Sequence, residues 1–452
     1  MALTGIALAV ILAAGRSPQS DNSLNAAGDG NSMGAAVPGS AFLALLPDGE
    51  MKRRFIIDCT GCHVWTADLV RGPGGEVRDA GAWSASVAKM IRMFGQGTGF
   101  PIISSWPDPE LLGPWLERHL SVEPTAPVIA PELLPVHAPE LVEYEIPVPT
   151  DLPHDLMVDR EGRVLITGMY THRMYRLDPA EGSFATISIP VPNANPRALD
   201  IDSQGRWLVL LGAPGSVARH DPATGEWESW QFGAYPHSLD IGADGRVWWN
   251  GHFTVDPEVI GSLDPATGVV TRYVVPRASD ADVPPGESTI PYGLRIAPDG
   301  RVWATQLRGG RLIRLDPKTG EIRQWRLPSR HAGPRRPDVA PDGMVWIPEY
   351  AAGKLARFDP ISETFAEWDV PIAESLPYVV RVDRSNGRVW IGTGHADVVV
   401  SFDPTRETFT VYPLATQGAL IRHIDIDEQR GEVWSAYGAS PGVPSKVARL
   451  RP

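Results

Sequence analysis

The sequence predicts an all-β seven-bladed β-propeller preceded by a small all-α domain, and three observations carry that expectation. From residue 141 to 452 one unit recurs with a period of about 43 residues, the range in which propeller blades repeat. The last unit stops before its fourth strand, while a strand of the missing type stands alone at 141–147. Upstream, over 41–120, period-two alternation gives way to helical spacing around the motif Cys59-Thr60-Gly61-Cys62-His63.

Composition sets the limits. The chain has 452 residues, of which 43% are hydrophobic and 21% charged, enough for a large core in an ordinary globular protein. Gly 45, Pro 44 and Trp 15 suit many short strands joined by tight turns. A formal charge of −13 argues against a nucleic-acid surface, which needs clustered Lys and Arg.

Residues 1–40 read as a signal-like segment and a flexible leader. The run from Gly5 to Ala14 has signal-peptide length and is too short to span a bilayer, so no integral membrane domain is expected. The stretch after it is rich in Ser, Asn, Gly and Asp.

Within 41–120, Phe42 to Leu46 and Lys52 to Ile57 flank an Asp48-Gly49 turn and lead into the cysteine motif. Residues 82–94 place Trp83, Val87, Met90, Ile91 and Phe94 near one helical face. A second helix is expected over 108–120, with Asp108 at the N-cap and Pro109 at N1.

Cys59 and Cys62 are the only cysteines. A disulfide framework needs more of them, and a zinc site needs a second ligand pair. The C-x-x-C-H spacing instead lets two thiols add to the vinyl groups of one haem while His63 ligates its iron. A redox C-x-x-C followed by an unrelated histidine is the plainer alternative. With its flanking helices, the segment resembles a cytochrome c domain. That resemblance implies one covalent haem c held by Cys59, Cys62 and His63, with a methionine opposite: Met90, or Met93 as the alternative. It also implies bacterial export, to the periplasm or outside the cell.

Five prolines between 121 and 140 read as a stiff linker. In the repeats that follow, turn glycines recur at Gly162, Gly205, Gly245, Gly300, Gly343, Gly387 and Gly431. Trp248, Trp303, Trp346, Trp390 and Trp434 follow at a fixed offset. A second turn begins at Asp178, Asp221, Asp264, Asp316, Asp359 and Asp403; in turns such as DPATGEW and DPKTGEI Asp caps, Pro sets φ and Gly takes positive φ. Seven units of four strands follow, and strand 141–147 is expected to complete blade seven and close the ring.

On one face, the starts of the innermost strands carry His154, Arg197, His237, Tyr292, Arg335, Tyr378 and Arg422, with His423 beside the last. The loops after the Trp strands add His172, His252, Glu349 and His395, while His220 falls on the opposite face as a structural residue. Such a ring suits an anionic or aromatic ligand; a hydrated channel mouth is the plainer reading.

Units such as Pro291-Tyr292-Gly293-Leu294 through Asp299-Gly300-Arg301-Val302-Trp303 resemble the virginiamycin B lyase (streptogramin lyase) propellers over essentially all of 141–452. The resemblance implies carbon–oxygen lyase chemistry with a histidine general base and magnesium. His154, His237, Glu349 and His423 are the residues that could carry it. The pattern departs from the family at Arg197, which stands where a histidine is expected, and at Gly168, where the first blade would need the glutamate. Three functions follow: an exported electron-transfer cytochrome whose propeller binds a small-molecule substrate or a redox partner protein, a lyase, and a protein-docking module. As an enzyme it would be an oxidoreductase subunit or a lyase.

Overall fold

A computed structural model describes residues 37–452 except 73, 214, 256 and 439–442. The signal-like run at 5–14 and most of the leader lie outside the described residues. Residues 37–452 form one compact unit.

Seven four-stranded antiparallel sheets make the propeller. Each unit turns where the sequence places its glycine, and all seven turn glycines have φ between 64° and 87°. At such angles a Cβ is strained, which explains the residue choice. At the second turn each aspartate caps the backbone two residues on, as in Asp178 to the Ala180 N–H at 3.0 Å and Asp359 to the Ile361 N–H at 2.8 Å. The turn chemistry is thus local and repeats with the unit.

The five recurring tryptophans are at most 3% exposed. Trp303 meets Phe358 of the following blade and Trp346 meets Phe402, with ring centroids 5.7 and 5.8 Å apart. Blades are also latched through polar groups at their inner edges. Asp240 accepts from the Ile296 N–H, Asp338 from the Val382 N–H and Asp425 from the Val158 N–H, at 2.7, 2.8 and 2.7 Å. Asn250 and Thr167 donate to the Tyr292 and Arg197 carbonyls at 2.7 and 2.8 Å. Buried polar groups on the inner strands therefore find partners in the neighbouring blade.

Closure follows the sequence pattern. The strand Glu140–Glu145 pairs antiparallel with Lys446–Arg451, setting Leu141 against Leu450. Ion pairs from Glu140 to Arg449 and Arg451, and from Glu143 to Lys446, reinforce the seam. His220 packs between Trp207 and Trp227 with centroids 4.7 and 4.5 Å away, as expected of a structural residue.

The N-terminal part is helical: α1 (Gly39–Ala44), α2 (Glu50–Cys59), α3 (Ala67–Val70), α4 (Ala80–Phe94) and α5 (Pro109–Leu120). Asp108 caps α5 through the Glu110 N–H at 2.9 Å, and Pro109 occupies its first turn. Between α5 and the first strand the chain is irregular apart from a 3₁₀ turn, Pro131–Leu133. Among the described residues no helix is long and apolar enough to cross a membrane.

These helices sit on the propeller face that bears the starts of the innermost strands. One hydrophobic core contains Phe55, Ile56, Val64 and Trp83 from the helices together with Tyr292, Tyr350, Tyr378 and Leu420 from the blades. Polar contacts border it: Tyr350 Oη donates to the Thr60 carbonyl at 3.0 Å, Lys52 pairs with Glu374, and buried Arg308 faces both Asp58 and Glu287. The helical cap is therefore fixed on the blades by core and by charge.

Candidate functional site

The cysteine motif begins at the C-terminal end of α2, where Cys59 is the last helical residue. Thr60 ends the helix, its Oγ1 donating to the Ile56 carbonyl at 2.7 Å. The chain then turns through Gly61 directly onto the propeller mouth. A Cβ on Gly61 would fall 2.7 Å from Arg335 Nη2, so a larger residue there needs that guanidinium to shift. Arg422 Nη2 donates to the Cys62 carbonyl at 3.1 Å. The motif is thereby seated on two propeller arginines.

Both thiols are free; Cys59 is partly buried and Cys62 is exposed. Protein nevertheless surrounds Cys62. Desolvation pushes its thiol up, against the guanidiniums of Arg422, Arg335 and Arg197. Tyr170 behaves alike: it is 52% exposed, yet burial raises its phenol, and Arg422, Cys62 and Arg197 act on it. The two groups therefore face a recess between cap and blades. Beside it His63 is held low by burial and by Arg422, and its Nδ1 is buried with no hydrogen-bond partner from another residue. Met90 is half-buried on the inner side of α4 with Trp83 and Val87, whereas Met93 is 39% exposed.

The seven residues at the strand starts are all buried beneath this cap. Arg335 is enclosed by the rings of Tyr350, Tyr378 and Tyr292, with centroids 4.0, 4.4 and 4.8 Å from its Cζ, and donates to Tyr292 Oη at 2.6 Å. Tyr292 and Tyr378 share a hydrogen bond between their hydroxyls. Arg197 lies over Tyr235 and over Phe100 of the cap, 4.7 and 5.4 Å from their centroids. The mouth is thus an arginine and tyrosine surface, with histidines deeper in.

The deeper group joins three of the four expected acid–base residues only in part. His154 Nδ1 lies 2.7 Å from Asp155 Oδ1, and because the carboxylate can only accept, that nitrogen carries the proton. Asp155 also accepts from Arg336 at 2.8 Å. His237 packs against His154 with centroids 5.4 Å apart and stacks on His252 at 4.4 Å. His423 accepts at Nε2 from Arg381 at 2.6 Å, and its Nδ1 is buried without a partner. Burial holds both His154 and His423 down to about 3, despite the Asp155 carboxylate. Such imidazoles stay neutral at pH 7 and are weak general bases, since efficient proton transfer needs a pKa near the working pH.

Glu349 does not join them. Its neighbours are Glu367, Ser329 and Lys354, toward the outer strand of its own blade, and burial and Glu367 push its carboxyl well above the usual range. Among the described residues no three His, Cys, Asp or Glu side chains converge as a metal-ligand group, so the magnesium expectation finds no donor set. His172 and His395 are separate again: His172 Nδ1 accepts from the Asn195 N–H at 3.1 Å, and buried His395 feels the charge of His63.

Sequence reasoning missed three participants. Asp155 and Arg336 form the buried pair that organises the histidines, and Tyr350 anchors the motif loop. A cue was present in the Arg335-Arg336 doublet, two cations side by side at a strand start.

The virginiamycin B lyase family profile matches residues 279–440. Virginiamycin B lyase from Staphylococcus aureus is similar in structure, with a TM-score of 0.60 at 19% identity, covering 70% of this chain and 100% of that one. A streptogramin B lyase structure gives 0.60 at 21% identity, covering 69% and 97%. Hydrazine synthase from Kuenenia stuttgartiensis gives 0.54 at 15%, covering 68% and 97%. Comparison with curated proteins returns no match. At such identities the structural likeness shows the fold. The propeller is therefore virginiamycin B lyase-like in architecture and, over 279–440, in sequence.

Proposed function

We propose that this chain is an exported c-type cytochrome whose propeller offers the bound redox group to a small-molecule substrate or a redox partner. The observation that carries the reading is the free Cys59 and Cys62 pair, in C-x-x-C-H spacing, with Cys62 open to an otherwise enclosed recess. Cys59 and Cys62 would hold a haem through thioethers, His63 would ligate its iron, and Met90 would serve opposite, being on the inner side of α4 where Met93 is not. The unpartnered Nδ1 of His63 and the free thiols fit that group. When bound, the haem supplies reversible one-electron storage at a potential set by its ligands and burial.

The chain's own residues supply placement. Thr60, Gly61 and Cys62 fix the loop on Tyr350, Arg335 and Arg422, so Cys59, Cys62 and His63 would hold the group beside the propeller mouth. The fused aromatic core beneath restricts water there. Covalent attachment in a bacterium takes place outside the cytoplasm, hence the periplasmic or secreted assignment. The test is a dithionite-reduced minus oxidised spectrum of protein produced with a haem-c maturation system. Reducible haem that survives denaturing electrophoresis is expected, and protein that remains colourless would overturn the reading.

A lyase reading draws on the family profile and on the His154–His237 contact. One similar solved structure is a catalytically inactive virginiamycin B lyase variant from Staphylococcus aureus with quinupristin. Against this reading stand the low basicity of His154 and the remoteness of Glu349. Incubation with quinupristin is expected to leave it intact; ring opening lost in His154→Ala would favour the lyase.

A further inference from the structure

We infer that Arg197, Arg335 and Arg422 form a binding site for a small carboxylate anion at the recess beside Cys62. The site's part in electron transfer rests on the haem reading above; its anion binding does not. The three side chains are 3%, 2% and 4% exposed, and none is paired with a carboxylate. Their partners are neutral: Asn195 and His154 Nε2 for Arg197, Tyr292 Oη for Arg335, and the Cys62 carbonyl for Arg422. Arg335 Nε and Arg422 Nη1 are buried with no partner at all.

A buried cation is ordinarily matched by an acid, because desolvation without a counter-charge is strongly unfavourable. Among the other buried cations described, the chain follows that rule except at Arg381, which meets the Val380 carbonyl and His423 Nε2. Arg336 has Asp155, Arg308 has Asp58 and Glu287, and Lys52 has Glu374. With a net charge of −13 the protein has acids to spare. At the mouth, by contrast, three guanidiniums are left unmatched against the cap: Arg335 lies against Gly61, Arg422 donates to the Cys62 carbonyl and Arg197 lies over Phe100. The missing negative charge is best supplied by a ligand. Planar guanidiniums match a carboxylate in geometry as well as charge.

Haem propionates have the same chemistry, but they lie across the porphyrin from the vinyl edge that forms thioethers. A guanidinium touching the Cys62 carbonyl stands at the thioether edge, which points to a separate anion. Phe100, Tyr235 and Tyr170 add aromatic surface to the same recess.

Benzoate, with benzamide as its neutral isostere, tests the site by calorimetry on the full chain. Benzoate binding that benzamide does not reproduce is expected, weakened tenfold or more in Arg422→Gln and in Arg197→Gln. Arg406→Gln, on an exposed turn of the far face, serves as the control and should bind as the parent does. Circular dichroism reports whether each variant is folded, and Arg422→Lys, which keeps the charge, should retain part of the affinity. Equal binding of benzoate and benzamide, or affinity unchanged in both glutamine variants, would overturn the inference. Benzoate binding to colourless protein would uphold the site while removing the haem reading. A resonance Raman shift of the propionate bands in Arg422→Gln, without benzoate binding by the parent, would assign the guanidiniums to the haem and overturn the site.

Discussion

The two ends of the central channel are built from the same repeat and treat charge in opposite ways. Away from the cap, a cavity of about 630 Å³ is lined by Asp155, Asp200, Asp240, Asp338 and Asp425 and by Arg295, Arg336, Arg381 and Arg384. There most of the charges answer one another: Arg336 pairs with Asp155, Arg295 and Arg384 face Asp338, and the aspartates also latch the next blade's backbone, while Arg381 meets only His423 Nε2 and the Val380 carbonyl. Under the cap, Arg197, Arg335 and Arg422 have only neutral partners and crowd the cysteine loop. Charge that is satisfied inside the fold holds the ring together. Charge left unsatisfied marks where something from outside the chain belongs.

The largest expected effect breaks the capped end outright. Cys59→Ala combined with Cys62→Ala should abolish covalent haem completely, read by haem staining after denaturing electrophoresis, while the propeller's circular dichroism is unchanged. Next comes the ring itself. Trp303→Ala removes a buried indole between two blades and should cost about 3–5 kcal/mol in denaturant unfolding; a loss below about 1 kcal/mol would mean the blades are not held by this contact.

A third effect belongs to the self-satisfied end. Burial raises Asp425 from its unfolded value near 3.8 to about 6. The native state therefore binds the proton more tightly. This contribution is fully present below pH 3.8 and is lost as pH rises through about 6. It amounts to roughly 2–3 kcal/mol for such a shift. Asp425→Asn keeps an acceptor for the Val158 N–H and should flatten the fall in stability over that window; an unchanged slope would show that the carboxyl does not titrate there.

Smaller again, Gly61→Ala forces a Cβ against Arg335 and should cost on the order of 1–2 kcal/mol of cap docking, seen as faster amide exchange across 59–63. Least of all, Glu349→Gln should change stability by under about 1 kcal/mol and leave benzoate affinity unaltered, because burial and Glu367 already disfavour the charged carboxylate and the side chain faces Glu367, not the arginines.

How much of this was legible in the sequence follows from how local each feature is. Turn glycines, Asp caps and the α5 N-cap depend on a few adjacent residues, so spacing alone marks them. Ring closure was legible because strand 141–147 repeats the pattern of 365–371, and the observed register sets Leu141 opposite Leu450. The α4 boundary and its inner residues Trp83 and Val87 also match their periodicity. The site was less legible, since side-chain direction at a strand end depends on register and on bulges. Bulges displace the pairing near Pro153 and Pro236, and Glu349 has Glu367, Ser329 and Lys354 for neighbours, not the histidines its position in the repeat had suggested it would join. Nor could spacing show that Gly61 lies against Arg335, a contact between residues far apart in the chain.

The most direct test is the intact mass of the mature protein together with alkylation of its thiols. The expected result is one added haem per chain and no thiol open to alkylation after denaturation. An unmodified mass with both Cys59 and Cys62 alkylated, in protein matured under conditions that load a control cytochrome, would contradict it.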